Sequence, residues 1–141
     1  MTGNFTVLLV DFEQDIRELI QILLRANAPD CSIATASCVN EAVNVFKQKP
    51  TDIILLNLAL PICLDLGGGS GLRAGFDLVR IIKSHCHVSE WQIPRFIIYS
   101  TMTQEKCSNH ISRVLEDGEY AWIDQMDMRP QLKEALEQLG F

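Results

Sequence analysis

Thr51-Asp52-Ile53-Ile54-Leu55-Leu56-Asn57-Leu58-Ala59-Leu60-Pro61 is apolar without alternation from Ile53 to Leu56, meets one polar side chain at Asn57, and runs on toward a proline. An unbroken apolar run suits a strand covered on both faces, which implies a parallel sheet between two layers of helices. In such sheets, ligands and chemistry sit just beyond the carboxyl ends of the strands. Asn57 therefore marks the edge where function is expected.

The same pattern recurs along the chain. Phe5–Val10 is a second apolar run and stops at Asp11. Glu13, Gln14 and Asp15 follow, acidic and polar residues that suit the positive end of a helix dipole. Ile16, Leu19, Ile20, Leu23 and Leu24 recur at helical spacing up to Arg25, and Asn27-Ala28-Pro29-Asp30 ends that helix. Ser32–Ser37 reads as a short strand. Asn40 is placed as the N-cap of a helix through Lys49, with Val39, Ala42, Val43 and Phe46 on one side and Pro50 closing it.

Beyond Pro61, a helix is expected over Gly75–Ser84, with Phe76, Leu78, Val79, Ile81 and Ile82 apolar. Arg95–Ser100 is a fourth strand ending on hydroxyls, followed by a helix from about Gln104 to Glu116 with Cys107, Ile111, Val114 and Leu115 inward. Asp117-Gly118 turns the chain into a fifth strand, Tyr120–Ile123, and Pro130–Leu139 is the last helix. Strands alternating with helices predict an open parallel α/β sheet with right-handed crossovers. Residues 1–141 read as a single domain, a size that supports one sizeable core.

Bulk properties narrow the function classes. Hydrophobic residues make up 48% of the 141-residue chain and charged residues 21%, with a net charge of -6 and no Lys or Arg run. Neither nucleic acid nor an anionic membrane is expected as a partner, because both call for a broad basic face. The start of the chain carries no basic region ahead of an apolar run of signal or membrane length. Five cysteines (Cys31, Cys38, Cys63, Cys86 and Cys107) are scattered without a CxxC pair, which fits reduced thiols and a cytoplasmic location.

The ordered motifs resemble the receiver domains of two-component response regulators, the CheY-like version of the flavodoxin-like fold. The matching pieces are Val7-Leu8-Leu9-Val10-Asp11 before an acidic helix start, Asp52–Pro61, and Gly75-Phe76-Asp77-Leu78-Val79. Ile97-Ile98-Tyr99-Ser100 and Gly118 followed by Tyr120–Asp124 complete the likeness. The resemblance implies a three-layer α/β/α domain with a five-stranded parallel sheet in the order 2-1-3-4-5.

A receiver of this family accepts a phosphoryl group from a histidine kinase onto an aspartate ending the third strand. Two acidic residues ending the first strand hold Mg²⁺. A Ser or Thr ending the fourth strand and a Lys ending the fifth contact the phosphoryl oxygens. By this resemblance Asp11 matches the first acidic position, but Phe12 stands at the second, with Glu13 close by. Asn57 stands at the acceptor position, Ser100 keeps the hydroxyl, Gln125 replaces the Lys and Met126 the proline after it.

The substitutions have chemical consequences. A carboxamide is a far poorer nucleophile than a carboxylate. Mg²⁺ needs several hard oxygen ligands, so its binding at Asp11 is expected to be weak or absent, and no other cofactor is implied. Phe12 is expected to exclude water where a carboxylate belongs. Gln125 donates hydrogen bonds without neutralising a phosphoryl dianion. An amide at 57 also relieves the repulsion of carboxylates converging without a metal.

The resulting expectation is a pseudo-receiver: a non-enzymatic signalling domain that works through protein contacts without aspartate phosphorylation. Its partners would be a sensor histidine kinase or an output protein. By resemblance, the switch and partner face includes Thr101 and Trp122, and the surface of the fourth helix, fifth strand and fifth helix would carry a homodimer or a partner. Two alternatives remain open at this point. One is a phosphorylatable receiver whose acceptor Asp is replaced by Asn57; the other is a small-molecule or redox sensor built on the same fold.

Three further motifs have plainer readings. Gly67–Gly71 lies in a link of 62–74 that exceeds the usual two to six or so residues of such loops, and it lacks the Gly-Lys-Ser/Thr ending of a P-loop. Gly69–Ala74 fits a loose GxGxxA but does not follow a strand directly. His85-Cys86-His87 lacks a second ligand pair at zinc spacing, so it reads as a helix-end cluster without metal.

Overall fold

The computed structural model describes residues 4–61 and 72–141. Five parallel strands, β1 (Thr6–Val10), β2 (Ser32–Ala36), β3 (Ile53–Asn57), β4 (Arg95–Ser100) and β5 (Tyr120–Asp124), form one sheet in the order β2-β1-β3-β4-β5. Five α-helices alternate with them: α1 (Gln14–Asn27), α2 (Val39–Gln48), α3 (Leu72–Ser89), α4 (Ser108–Val114) and α5 (Met128–Gln138). The open parallel sheet expected from the alternation is observed, in the strand order 2-1-3-4-5 that the resemblance implied.

The apolar runs explain the layering. In β1 and β3, which lie inside the sheet, successive side chains point to opposite faces and both faces are covered. Leu8, Val10, Ile54, Leu56, Phe96 and Ile98 pack with α2, α3 and α4 on one side. Val7, Leu9, Ile53, Leu55, Ile97 and Tyr99 pack with α1 and α5 on the other. The edge strand β2 is only partly covered, consistent with its more polar sequence, SIATA.

Several boundaries differ from the periodicity reading. Helix α2 is capped by Cys38, in extended backbone, and Asn40 lies inside the helix and exposed. Helix α3 begins at Leu72 and continues to Ser89, so His85-Cys86-His87 occupies its last turns. The expected helix over Gln104–Glu116 is a 3₁₀ turn at Glu105–Cys107 followed by the short α4. Helix α5 starts at Met128, which places Pro130 in its first turn, where a missing N–H costs nothing. Leu19, which recurs at helical spacing in α1, and Ile81, among the apolar residues of α3, are 45% and 41% exposed. The Gly67–Gly71 run lies outside the described residues.

Gly75 has a specific steric role. A Cβ there would lie 2.8 Å from Leu58 Cα and closer still to the Leu58 carbonyl oxygen. Only glycine lets α3 rest against the backbone that leaves β3, directly after Asn57. No helix among the described residues is long and apolar enough to cross a membrane.

Candidate functional site

The register of the sheet assembles the site. β1 and β3 pair Val10 with Leu56, so Asp11 follows beside Asn57; β3 and β4 pair Asn57 with Tyr99. Paired positions of parallel strands point to the same face. Asp11, Asn57 and Tyr99 therefore form a row across three strand ends, on the side of α1 and α5.

Their hydrogen bonds close on Asp11, which is 1% exposed. Its Oδ2 accepts from the Tyr99 hydroxyl at 2.5 Å and from Asn57 Nδ2 at 3.2 Å. Its Oδ1 accepts from the Glu13 backbone N–H at 2.8 Å, an Asx turn that starts α1. The Arg17 guanidinium donates to the Asp11 and Phe12 carbonyls at 2.6 and 3.1 Å, tying the loop back to the helix. Asn57 Oδ1 accepts from Ala59 N–H at 3.0 Å. Both ends of the amide are thus engaged, its orientation being set by the two partners: an acceptor at Asp11 and a donor at Ala59.

Tyr99 is the site residue that does not stand out in the sequence. It is fully buried. Burial above all, then the nearby charge of Asp11 and the hydrogen bond to it, push its phenol far above the ordinary tyrosine range. The hydroxyl stays protonated and serves Asp11 as a permanent donor. A buried tyrosine nearly always finds a partner for its hydroxyl, and that rule is the signal that could have singled out Tyr99 in the run RFIIYS.

The remaining expected site residues do not join this network. The Phe12 ring is 56% exposed, so the expectation that it shuts water out of the pocket is corrected; Tyr99 fills the interior beside Asp11 instead. Phe12 sits in the short turn between β1 and α1, where the Asx turn directs Asp11 inward and leaves the next side chain outward. Glu13 contributes its backbone N–H, and its carboxylate is exposed. Ser100 is buried, but its Oγ accepts from Met102 N–H at 3.0 Å, which closes the turn after β4. Gln125 is half-buried in a 3₁₀ turn, and no hydrogen bond joins it to Asp11 or Asn57 among the described residues. Thr101 is exposed; Trp122 is half-buried against the α2–α4 side of the core, its indole N–H enclosed without a partner among the described residues.

Mg²⁺, which the fold family implies, does not fit these residues. A hard divalent cation needs several free oxygens. Here the single buried carboxylate already accepts three hydrogen bonds, and the second acidic position holds an outward phenylalanine. Among the described residues, no group of three or more His, Cys, Asp or Glu side chains is placed to hold a metal. That includes the cluster at the end of α3, where Cys86 is buried and His85 lies edge-on to Trp91.

No protein-family model matches the sequence, and no curated protein sequence matches it. Solved structures do. The chemotaxis response regulator CheY4 of Vibrio cholerae superposes with a TM-score of 0.74 at 18% identity, over 99% of this chain and 99% of that one. The fold is that of a response-regulator receiver domain. The receiver domain of the Francisella response regulator 1452 agrees, with a TM-score of 0.68 at 17% identity over 96% of each chain. NtrX from Brucella abortus gives 0.69 at 21% identity, covering 99% of this chain but 28% of its own length. Within the receiver fold, the row Asp11–Asn57–Tyr99 occupies the strand ends where an open parallel sheet places its chemistry.

Proposed function

We propose that this chain is a pseudo-receiver: a receiver-fold signalling domain that acts through protein–protein contacts, without aspartate phosphorylation, Mg²⁺ or catalysis of its own. The observation that carries the reading is the closed network at the strand ends. Asn57 supplies an amide that hydrogen-bonds Asp11, and Asp11 is satisfied by Tyr99, Asn57 and the Glu13 N–H. A carboxamide so engaged offers no oxygen nucleophile to a phosphodonor. The cation that would meet a phosphoryl dianion is also missing, since Gln125 is neutral, and Phe12 offers no carboxylate for Mg²⁺. On this reading the domain works in the cytoplasm beside a histidine kinase or an output protein, and the face of α4, β5 and α5, with Thr101 and Trp122 near it, carries the contact or a homodimer.

The thiol-sensor alternative finds little support. Among the described residues Cys31, Cys38, Cys86 and Cys107 are all buried and unpaired; Cys63 lies outside them. Burial, the largest influence at each, raises the thiols of Cys31, Cys86 and Cys107 away from the reactive thiolate form.

The test is incubation of the purified protein with acetyl phosphate and Mg²⁺, followed by intact mass measurement. The expected result is an unchanged mass, for the native protein and for Asn57→Asp alike, because Phe12, Gln125 and the Tyr99 bond to Asp11 remain. A stable phosphoryl adduct on the native protein overturns the proposal. An adduct restored by Asn57→Asp alone would instead favour a phosphorylatable receiver with its acceptor replaced.

A further inference from the structure

A groove of about 400 Å³ runs along the outer side of α3, on the side away from its core-facing stripe, lined by Lys47, Arg80, Ile81, Ser84, His85 and Val88. Ile81, Ser84, His85 and Val88 fall at i, i+3, i+4 and i+7, so they form one face of α3; Lys47 comes from the last turn of α2. Two of the four, Ile81 and Val88, are apolar and exposed where solvent should favour polar residues. Val88 is 79% exposed and Ile81 41%. The inner stripe of the same helix (Phe76, Val79, Ile82, Cys86) is buried in the core, so Ile81 and Val88 do not serve the fold.

The charged residues that line the groove, Lys47 and Arg80, are basic, and the carboxylate beside them, Asp77, is paired with Arg80. Lys47 makes no ion pair among the described residues; Arg80 uses one guanidinium nitrogen on Asp77 at 3.0 Å and is 62% exposed. His85 lies edge-on to Trp91, and its Nε2 is enclosed without a partner among the described residues. Among the described residues no carboxylate lines the groove, in a chain whose net charge is -6.

We infer that this α2–α3 groove docks an acidic amphipathic helix from a partner protein. Leucine-like side chains at helical spacing would cover Ile81 and Val88, and flanking carboxylates would meet Lys47 and Arg80. A helix seated in a groove through anchors about two turns apart is a common recognition mode. Because charges beyond about 8–10 Å are screened at physiological salt, a short acidic segment responds to the local cations. A broad anionic membrane would meet the repulsion of the whole acidic domain. The inference does not depend on the reading of the Asn57 pocket, so a phosphoryl adduct in the acetyl phosphate test would leave it standing.

The probe is a fluorescein-labelled helical peptide with Leu at heptad a and d positions and Glu elsewhere, titrated with the full chain by anisotropy and mapped by amide chemical shifts. The control is its Glu-to-Lys counterpart. Expected are saturable binding of the Glu peptide at micromolar affinity, shifts confined to α2 and α3, and weaker binding at high salt. The double variant Lys47→Glu/Arg80→Glu should bind about tenfold more weakly or worse. Both positions are exposed, and an unchanged thermal melt will show that the variant is folded. Equal binding of the Lys peptide, shifts centred on α4 and β5, no effect of the charge reversal, or no binding at all overturns the inference. Capture of phosphatidylserine vesicles without the peptide overturns it as well.

Discussion

Replacing Tyr99 by Phe removes one oxygen from the buried row and leaves the ring in place, so the change is polar and opens no significant cavity. Asp11 would keep the Glu13 N–H at 2.8 Å and the longer Asn57 bond at 3.2 Å, and lose its 2.5 Å partner. A hydrogen bond to a buried charged group contributes about 1.5–3 kcal/mol. The expected loss is therefore about 2 kcal/mol, or about 6 °C in Tm for a domain of this size.

The pH dependence supplies a second, independent signature. Burial, then Asp11, holds the folded phenol far above the unfolded one, which titrates near about 10. The stabilising contribution of Tyr99 is fully present below that value. It is lost as the pH rises further, because the unfolded chain releases a proton that the folded chain retains, at about 1.4 kcal/mol per pH unit. Tyr99→Phe lacks this slope, so its deficit against the native protein should shrink as the pH climbs above about 10. Thermal and urea melts by circular dichroism, from neutral to alkaline pH, measure both effects. A Tm within about 1 °C of native at neutral pH, against the roughly 6 °C expected, or a deficit that widens with alkali, would refute the assignment of Tyr99 as the donor to Asp11.

Three further expectations rest on other contacts. Asn57→Asp sets a second carboxylate about where Asn57 Nδ2 lies, 3.2 Å from Asp11 Oδ2, and should cost about 2 kcal/mol near neutral pH. The repulsion raises the folded carboxyl pKa, so the penalty should fade as the pH drops toward the unfolded value of about 4; a variant as stable as native at neutral pH would count against the geometry. Gly75→Ala drives a methyl into the Leu58 backbone and should destabilise by about 2 kcal/mol or more, despite alanine's intrinsic helix advantage of about 1 kcal/mol; a raised Tm would contradict the close approach. Lys83→Met removes the 2.7 Å bond to Glu119 and the 2.8 Å bond to the Val114 carbonyl. Burial alone would raise Glu119, but the Lys83 hydrogen bond, the Glu116 N–H and the nearby Lys83 and Arg95 charges hold its carboxyl below the usual range. Its contribution is present above the unfolded value and lost as the pH falls through the folded one, so the variant should lose about 1 kcal/mol near neutral pH and converge with native in acid. Acid titration monitored by circular dichroism checks this.

The α/β architecture was legible because burial on two faces leaves a direct mark on composition. Phe5–Val10 and Ile53–Leu56 contain no polar residue on an inner strand except at the outer turn of Thr6, and helical spacing separates them. Helix ends were less legible. Cys38 caps α2 without a side-chain hydrogen bond, so capping chemistry pointed to Asn40 instead. At Leu19 and Ile81, apolar spacing counted residues that the packing leaves outside.

At the strand ends, the sequence by itself determined the chemical inventory: a carboxamide at 57, one carboxylate at 11, and no cation at 125. Which of these groups meet was decided only by the tertiary structure. The pairing of Asn57 with Tyr99 brings a hydroxyl from β4 to a carboxylate 88 residues earlier in the chain, while the turn after β1 directs Phe12 outward. A parallel sheet joins strands distant in sequence through long crossovers, and a one-residue change of register would send Tyr99 to the opposite face. Local sequence carries the periodicity of each strand, but the alignment between strands is set by the packing of both helix layers.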